Sequence, residues 1–174
     1  ASAPTSPRSI PRKQRHLIVT AFTHRSYLKP KGVETMQLDH EQQVALDAML
    51  AGQNVFLTGR AGTGKSAVIN AFIRHHPANL VCVAPTGLAA RNLTEAGTIH
   101  RTFGLPSGVL QPGNLAYILL EKRPFLSTVK TLLIDEISMV RSDTFNVIDC
   151  LLRESASSGY SGLPFGGKQI IVVG

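Results

Sequence analysis

The stretch Phe56-Leu57-Thr58-Gly59-Arg60-Ala61-Gly62-Thr63-Gly64-Lys65-Ser66 narrows what this chain can fold into more than any other. An apolar run, Asn54 to Thr58, reads as a strand. A loop spaced G-x-x-x-x-G-K-S follows, and Ala67 to Ile73 reads as a helix. Glycines at Gly59, Gly62 and Gly64, with the small Ala61 and Thr63 between, let the backbone turn tightly and aim its N–H groups at a polyphosphate. Lys65 is placed to reach the outer phosphates and the Ser66 hydroxyl to ligate Mg²⁺. The helix that begins here adds a favourable field for an anion. A strand, this loop and a helix in succession predict a nucleoside-triphosphate site with Mg²⁺ beside the phosphates.

Composition agrees with one globular domain plus an appendage. The 174 residues are 43% hydrophobic, enough to bury a core. No run approaches the ~18 apolar residues of a membrane span. Cys82 and Cys150 lie far apart within apolar runs, which suits buried reduced thiols in an intracellular protein better than a disulfide framework. The tandem His75-His76 has no cysteine or carboxylate spacing to complete a metal site. It reads as a solvated helix end, and no structural metal is expected.

Charge is unevenly placed. Residues 1–37 hold seven Lys/Arg against the single acid Glu34, so nearly all of the formal +7 lies in this leader. With Pro4, Pro7, Pro11 and Pro30 and scattered serines, it has little periodicity and is expected not to pack. It reads either as a basic tail that increases contact with nucleic acid or as an organellar targeting segment.

Ordered structure is expected from Leu38. Asp39 is placed to cap a helix, and Gln42 stands three residues on, as in a capping box. Gln42 has an alternative role as the reader of adenine, since a carboxamide offers the base edge both a donor and an acceptor. Ala45, Leu46, Ala48, Met49 and Leu50 carry helical spacing up to Gly52. Leu80 to Ala84 reads as a strand buried on both faces, closed by Pro85-Thr86-Gly87 ahead of a helix over Leu88 to Glu95. Thr86 and Gly87 thus sit where a backbone phosphate is readily held. Thr98 to Gly104 mixes His100, Arg101, two threonines and Phe103. This suits contact with a single strand through phosphates and base stacking, although composition alone favours a packed Phe103 with solvated neighbours.

Asn114 to Lys122 reads as a helix broken by Pro124. Thr131 to Ile134 is an apolar strand closing on Asp135 and Glu136. At a strand end beside a phosphate loop, Asp135 suits Mg²⁺ binding and Glu136 the polarisation of an attacking water. Phe145, Val147, Ile148, Leu151 and Leu152 form a core stripe. Residues 155–167 read as a Ser/Gly-rich loop, and Gln169 to Val173 as a last buried strand.

Taken together, the segment from Leu38 to Gly174 resembles the first RecA-like domain of PIF-family DNA helicases, in the RecD-like, 5′-to-3′ branch of superfamily 1. Leu38-Asp39-His40-Glu41-Gln42 resembles the family's Q motif, Gly59 to Ser66 motif I, and Ala84 to Ala90 motif Ia. Thr98-Ile99-His100 through Leu105 resembles the DNA-contacting segment after it. Ile134 to Val140 resembles motif II, and Phe165-Gly166-Gly167-Lys168-Gln169 to Gly174 the opening of motif III.

The resemblance implies an α/β fold, a RecA-like P-loop domain whose central parallel sheet is flanked by helices, with strand order 80–84, 131–135, 170–173, 54–58. It also implies an ATP-dependent motor that moves along single-stranded DNA. Lys65, Asp135 and Glu136 would be catalytic, Ser66 and Asp135 would hold the metal, and Thr86, Gly87, His100 and Phe103 would contact DNA. Telomere maintenance, repair and recombination, in nucleus or mitochondrion, are the family's settings. The family continues its motif III strand into an Asp and a Gln, and then into a second RecA-like domain whose arginines reach across the nucleotide. Both are expected beyond Gly174, so the present chain should bind nucleotide better than it turns it over. A different phosphate-loop ATPase, such as an AAA-type loader, and a nucleotide-binding fragment without catalysis are the competing readings.

Overall fold

Runs of aliphatic and β-branched residues separated by helical segments pair in parallel, because each crossover returns the chain to the same end of the sheet. The computed structural model describes residues 16–22, 38–75, 79–93, 96–108 and 112–174. Its elements are β1 (His16–Phe22), α1 (His40–Leu50), β2 (Asn54–Gly59), α2 (Lys65–His75), β3 (Leu80–Ala84), α3 (Gly87–Arg91), β4 (Gly97–Thr98), α4 (Ile99–Phe103), α5 (Pro112–Thr128), β5 (Thr131–Ile134), α6 (Ser142–Glu154) and β6 (Gln169–Val173). Two 3₁₀ turns, Ile137–Met139 and Pro164–Gly167, flank α6. The strand order is β1-β2-β6-β5-β3-β4, and every pairing is parallel. Its central four strands stand in the order that the resemblance implies.

Alternation along the strands divides the core. Val55, Leu57, Leu133, Ile171 and Val173 pack on one face with Ala45, Leu46 and Met49 of α1 and Val68, Ile69 and Phe72 of α2. Leu132, Ile134, Val83 and Ile170 point to the other face and meet Ile118 and Leu126 of α5 and Ile148, Leu151 and Leu152 of α6. Burial on both faces explains why these strands read as continuous apolar runs.

A buried polar clamp closes the N-terminal edge of the sheet. Gln169 Nε2 donates to the Met49 and Gln53 carbonyls, both at 2.8 Å, and its Oε1 accepts from the Thr131 hydroxyl at 2.9 Å. The carboxamide thereby ties the end of α1 to β5 and β6. Gln169→Leu is expected to lower unfolding stability by on the order of 2 kcal/mol, because buried carbonyls lose donors that a leucine cannot replace. A denaturant midpoint unchanged from wild type would show that the clamp contributes nothing.

The structure differs from the sequence expectations at several places. His16–Phe22, inside the segment expected not to pack, is an edge strand alongside β2, with His16 opposite Asn54 and Leu17 opposite Val55. Its Leu-Ile-Val-Thr core has strand character that the surrounding basic residues obscure. The rest of the leader (1–15 and 23–37) lies outside the described residues. Pro124 does not end α5, which continues to Thr128. An internal proline costs about 3 kcal/mol, and burial of Leu126 and Val129 just beyond it offsets that cost. Cys82 is buried as expected but Cys150 is exposed, on the outer side of α6. The helix expected over Leu88 to Glu95 runs from Gly87 to Arg91, with Thr94 and Glu95 outside the described residues. Within the loop expected over 155–167, Gly166 sits at φ +63°, where an added Cβ would fall 2.5 Å from the Leu152 carbonyl oxygen. That close approach to the end of α6 requires glycine.

Candidate nucleotide site and nucleic-acid interface

Parallel strands deliver their C-terminal ends to one edge, the place where open α/β sheets bind ligands. β2 ends there at Gly59, β3 ahead of Thr86 and β5 at Ile134 just before Asp135. The phosphate loop, the Thr86-Gly87 turn and the acid pair therefore share one rim, although up to 77 residue numbers separate them.

Within the loop, Gly62 (φ +79°) and Gly64 (φ +86°) take left-handed backbone that a side chain would strain. Thr63 closes the turn: its N–H and its hydroxyl both donate to the Arg60 carbonyl, at 3.3 and 2.8 Å. α2 starts at Lys65; the Ala67 and Val68 N–H groups donate to the Gly64 carbonyl at 2.9 and 3.3 Å, and the preceding N–H groups of Lys65 and Ser66, ahead of any helical acceptor, are the ones available to an anion. Lys65 Nζ donates to the Gly59 carbonyl at 2.6 Å and to the Arg60 carbonyl at 3.4 Å. An ammonium carries three hydrogens, so the side chain spans the loop and still has a donor for phosphate. Ser66 is exposed at the start of the helix.

Gln42 makes both halves of the expected capping box. Its N–H donates to Asp39 Oδ1 at 2.8 Å, and its Oε1 accepts from the Asp39 N–H at 3.0 Å. Its Nε2 also donates to the Thr63 carbonyl at 3.1 Å. A Cβ added to Gly64 would stand 2.4 Å from that nitrogen, so Gly64 is what lets α1 approach the loop. This contact between Gln42 and the loop is visible only in three dimensions.

Asp135 is half-buried and Glu136 exposed. Burial pushes the Asp135 carboxyl up from its ordinary value. The Glu136 N–H, donating to Asp135 Oδ1 at 2.9 Å, opposes this, the Glu136 charge adds to it, and the Lys65 ammonium opposes it. Lys65 and Asp135 thus feel each other across the rim. Glu136 has left-handed backbone (φ +51°, ψ +47°) without being glycine, a conformation that costs on the order of 1–3 kcal/mol and clusters at functional sites. β6 lies between β2 and β5, and the Gly174 N–H donates to the Leu57 carbonyl at 3.1 Å. The end of the motif III strand therefore opens between the phosphate loop and Asp135.

Of the residues expected to contact DNA, Thr86, Gly87 and His100 lie at the surface and Phe103 does not. Thr86 caps α3 by accepting from the Ala89 N–H at 3.2 Å, Gly87 is exposed, and His100 is exposed on α4. Phe103 is fully buried among Ile99, Ile118 and Leu126. Residues 99 and 103 are one helical turn apart, so α4 uses both as its inner face and turns 100 and 101 outward. In this arrangement Phe103 offers no ring to stack on a base, and the packed alternative describes it.

A Gly-rich loop between strand and helix, an acid pair on the neighbouring rim and a parallel sheet covered on both faces define a RecA-like phosphate-loop domain. The PIF1-like helicase family model matches residues 13–174, and the chain belongs to that family. It is 37% identical over 148 residues to ATP-dependent DNA helicase Pif1 of Bdellovibrio bacteriovorus, covering 82% of this chain and 32% of that protein. Against human ATP-dependent DNA helicase PIF1 it is 36% identical over 143 residues, covering 79% and 21%. Among solved structures, Pif1 helicase from Candida albicans superposes with a TM-score of 0.70 at 32% identity, covering 80% of this chain and 33% of that one. Bacteroides Pif1 in complex with ADP-AlF3 and single-stranded DNA gives 0.67 at 38%, covering 80% and 32%. The chain thus spans between about a fifth and a third of the length of these relatives.

Proposed function

We propose that this chain is the ATP-binding half of a motor that unwinds DNA in the 5′-to-3′ direction, with Mg·ATP as its fuel and a single strand as its track. The convergence of phosphate loop, Thr86-Gly87 turn and acid pair on one rim is the observation that carries this reading. The donor set suits magnesium: a hydroxyl and a carboxylate are hard oxygen ligands, and Mg²⁺ takes one or two carboxylates with substrate phosphates rather than a protein cage. Ser66 and Asp135 would hold the ion, which when bound neutralises charge developing on the phosphates.

The remaining steps belong to the chain's own groups. The loop N–H groups and the start of α2 cradle the phosphates, and Lys65 adds a charge-assisted hydrogen bond. Glu136, exposed on its left-handed turn, orients the attacking water and accepts its proton. Gln42, already bonded to Thr63, reads adenine at the mouth of the loop, so base recognition and loop geometry share one side chain. Thr86, Gly87 and His100 hold the strand's backbone. Arginines of a second RecA-like domain complete the site, and the cell provides its use in genome maintenance, in nucleus or mitochondrion.

A nucleotide titration tests the first layer of this reading. Lys65→Ala is expected to weaken binding of a fluorescent ATP analogue by about tenfold or more, since a hydrogen bond to a charged group is worth about 1.5–3 kcal/mol. Equal affinity for wild type and variant would remove the phosphate-loop assignment.

A further inference from the structure

We propose that a groove along the β3 side of the sheet is a second contact for single-stranded nucleic acid, reached from the rim by way of α4. The inference rests on the nucleic-acid reading above and extends its footprint from the segment around His100 to Lys122 and Phe125 of α5, which lie outside the motifs.

The groove measures about 620 Å³, and its lining includes Arg101 and Thr102 of α4, Lys122 and Phe125 of α5, and Gly97 of β4. β4 pairs with β3 only at Val83 and Ala84, so beneath it the first half of β3 becomes the groove floor. Neither Arg101 nor Lys122 has a carboxylate partner among the described residues, where the ion pairs are Arg141–Asp143 and Arg153–Asp149. Two cations on one concave surface, without a counter-charge among the described residues, call for an anion from outside.

Two glycines shape this surface. An added Cβ at Gly104, the left-handed cap of α4, would stand 3.2 Å from Lys122 Cε, so the lysine stem crosses the helix end closely. At Gly97 an added Cβ would stand 2.6 Å from the Thr102 hydroxyl. Phe125, 37% exposed, contributes an aromatic ring to the same lining. Cations for phosphates beside a ring for a base are the two parts that a sequence-tolerant single-strand site needs. His100 and Arg101 are neighbours on α4, so this short helix joins the rim to the groove. The burial of Phe103 leaves Phe125 as the aromatic positioned for stacking here.

The test is equilibrium binding of a fluorescein-labelled oligo-dT of about 15 nucleotides, within the span of known single-strand sites. It uses the full chain across a salt series, with the basic leader constant in every comparison. Arg101→Gln with Lys122→Gln is expected to weaken binding several-fold and to flatten the log–log salt slope by about 0.7 for each phosphate contact removed. Phe125→Leu keeps apolar volume but removes the ring, and is expected to weaken binding about fivefold or more with the slope unchanged. Nucleotide affinity should stay at wild type in all of these variants, which also reports that they fold. Iodouridine placed in the oligonucleotide should crosslink within the groove.

If Thr86→Ala and His100→Ala weaken binding while the groove variants alter neither affinity nor slope, the groove inference is overturned and the rim reading stands. If the chain binds no oligonucleotide at any salt, both fall. An oligoglutamate peptide that binds in a groove-dependent way, with oligo-dT indifferent to the same variants, would overturn the inference in favour of an acidic protein partner.

Discussion

In a chain extended to the length of its relatives, Glu136→Gln is expected to cut DNA-stimulated ATP turnover by about 10²–10⁴, the usual contribution of a general base, while Mg·ATP remains bound. The amide preserves the side chain's shape and loses only its ability to take a proton. The backbone argues for this division of labour. Glu136 is held in a left-handed turn and exposed, whereas Asp135 is half-buried at the strand end with one oxygen accepting the next N–H. Asp135→Asn should differ by losing metal-dependent nucleotide binding as well. Burial raises the Asp135 carboxyl above its ordinary value, so protonation on acidification begins at a higher pH than for a solvated aspartate. Mg²⁺-dependent affinity should therefore fall early on the acid side and recover as pH rises. Steady-state hydrolysis beside a nucleotide titration reads both effects. Turnover by Glu136→Gln within about threefold of wild type would exclude a general base here.

Phe103→Ala is expected to destabilise the domain by about 3–5 kcal/mol, the range for emptying a buried aromatic position. It should lower Tm by roughly 10 °C. Phe103 is 0% exposed and sits where α4, α5 and the β5 face meet, so the loss is a cavity rather than a missing DNA contact. Phe103→Leu separates the two ideas. It should cost modest stability and leave oligo-dT affinity at wild type. Full stability combined with weakened DNA binding would return Phe103 to the interface and require α4 to turn over.

What the sequence determined by itself are features whose cause lies within one element or one turn. The capping box of Asp39 and Gln42 depends on a spacing of three residues, and it formed as read. The phosphate loop depends on glycines at fixed offsets between a strand and a helix, and Gly62 and Gly64 take the left-handed backbone that the spacing requires. Two-faced burial was legible in Leu80 to Ala84 because an all-apolar strand has no face to give to water, and Cys82 packs on one side of the sheet and Val83 on the other. The strand order was legible through family resemblance alone, since hydropathy says nothing of which strand lies beside which.

Tertiary structure decided the rest. Phe103 and His100 stand three residues apart with similar prior claims on DNA, and only the helix axis of α4 against α5 sends one inward and the other out. Gln169 looks like an ordinary polar residue at a strand start until α1 brings the Met49 carbonyl to it across 120 positions of sequence. Gln42 reaches Thr63 for the same kind of reason. Arg101 and Lys122 become a pair only because β3 runs past β4 and leaves a hollow between two helices. Local spacing sets backbone conformation through sterics and nearby hydrogen bonds, and a single chain carries that information in order. Burial and partnership depend on which distant surface arrives, and that is fixed only when the sheet closes.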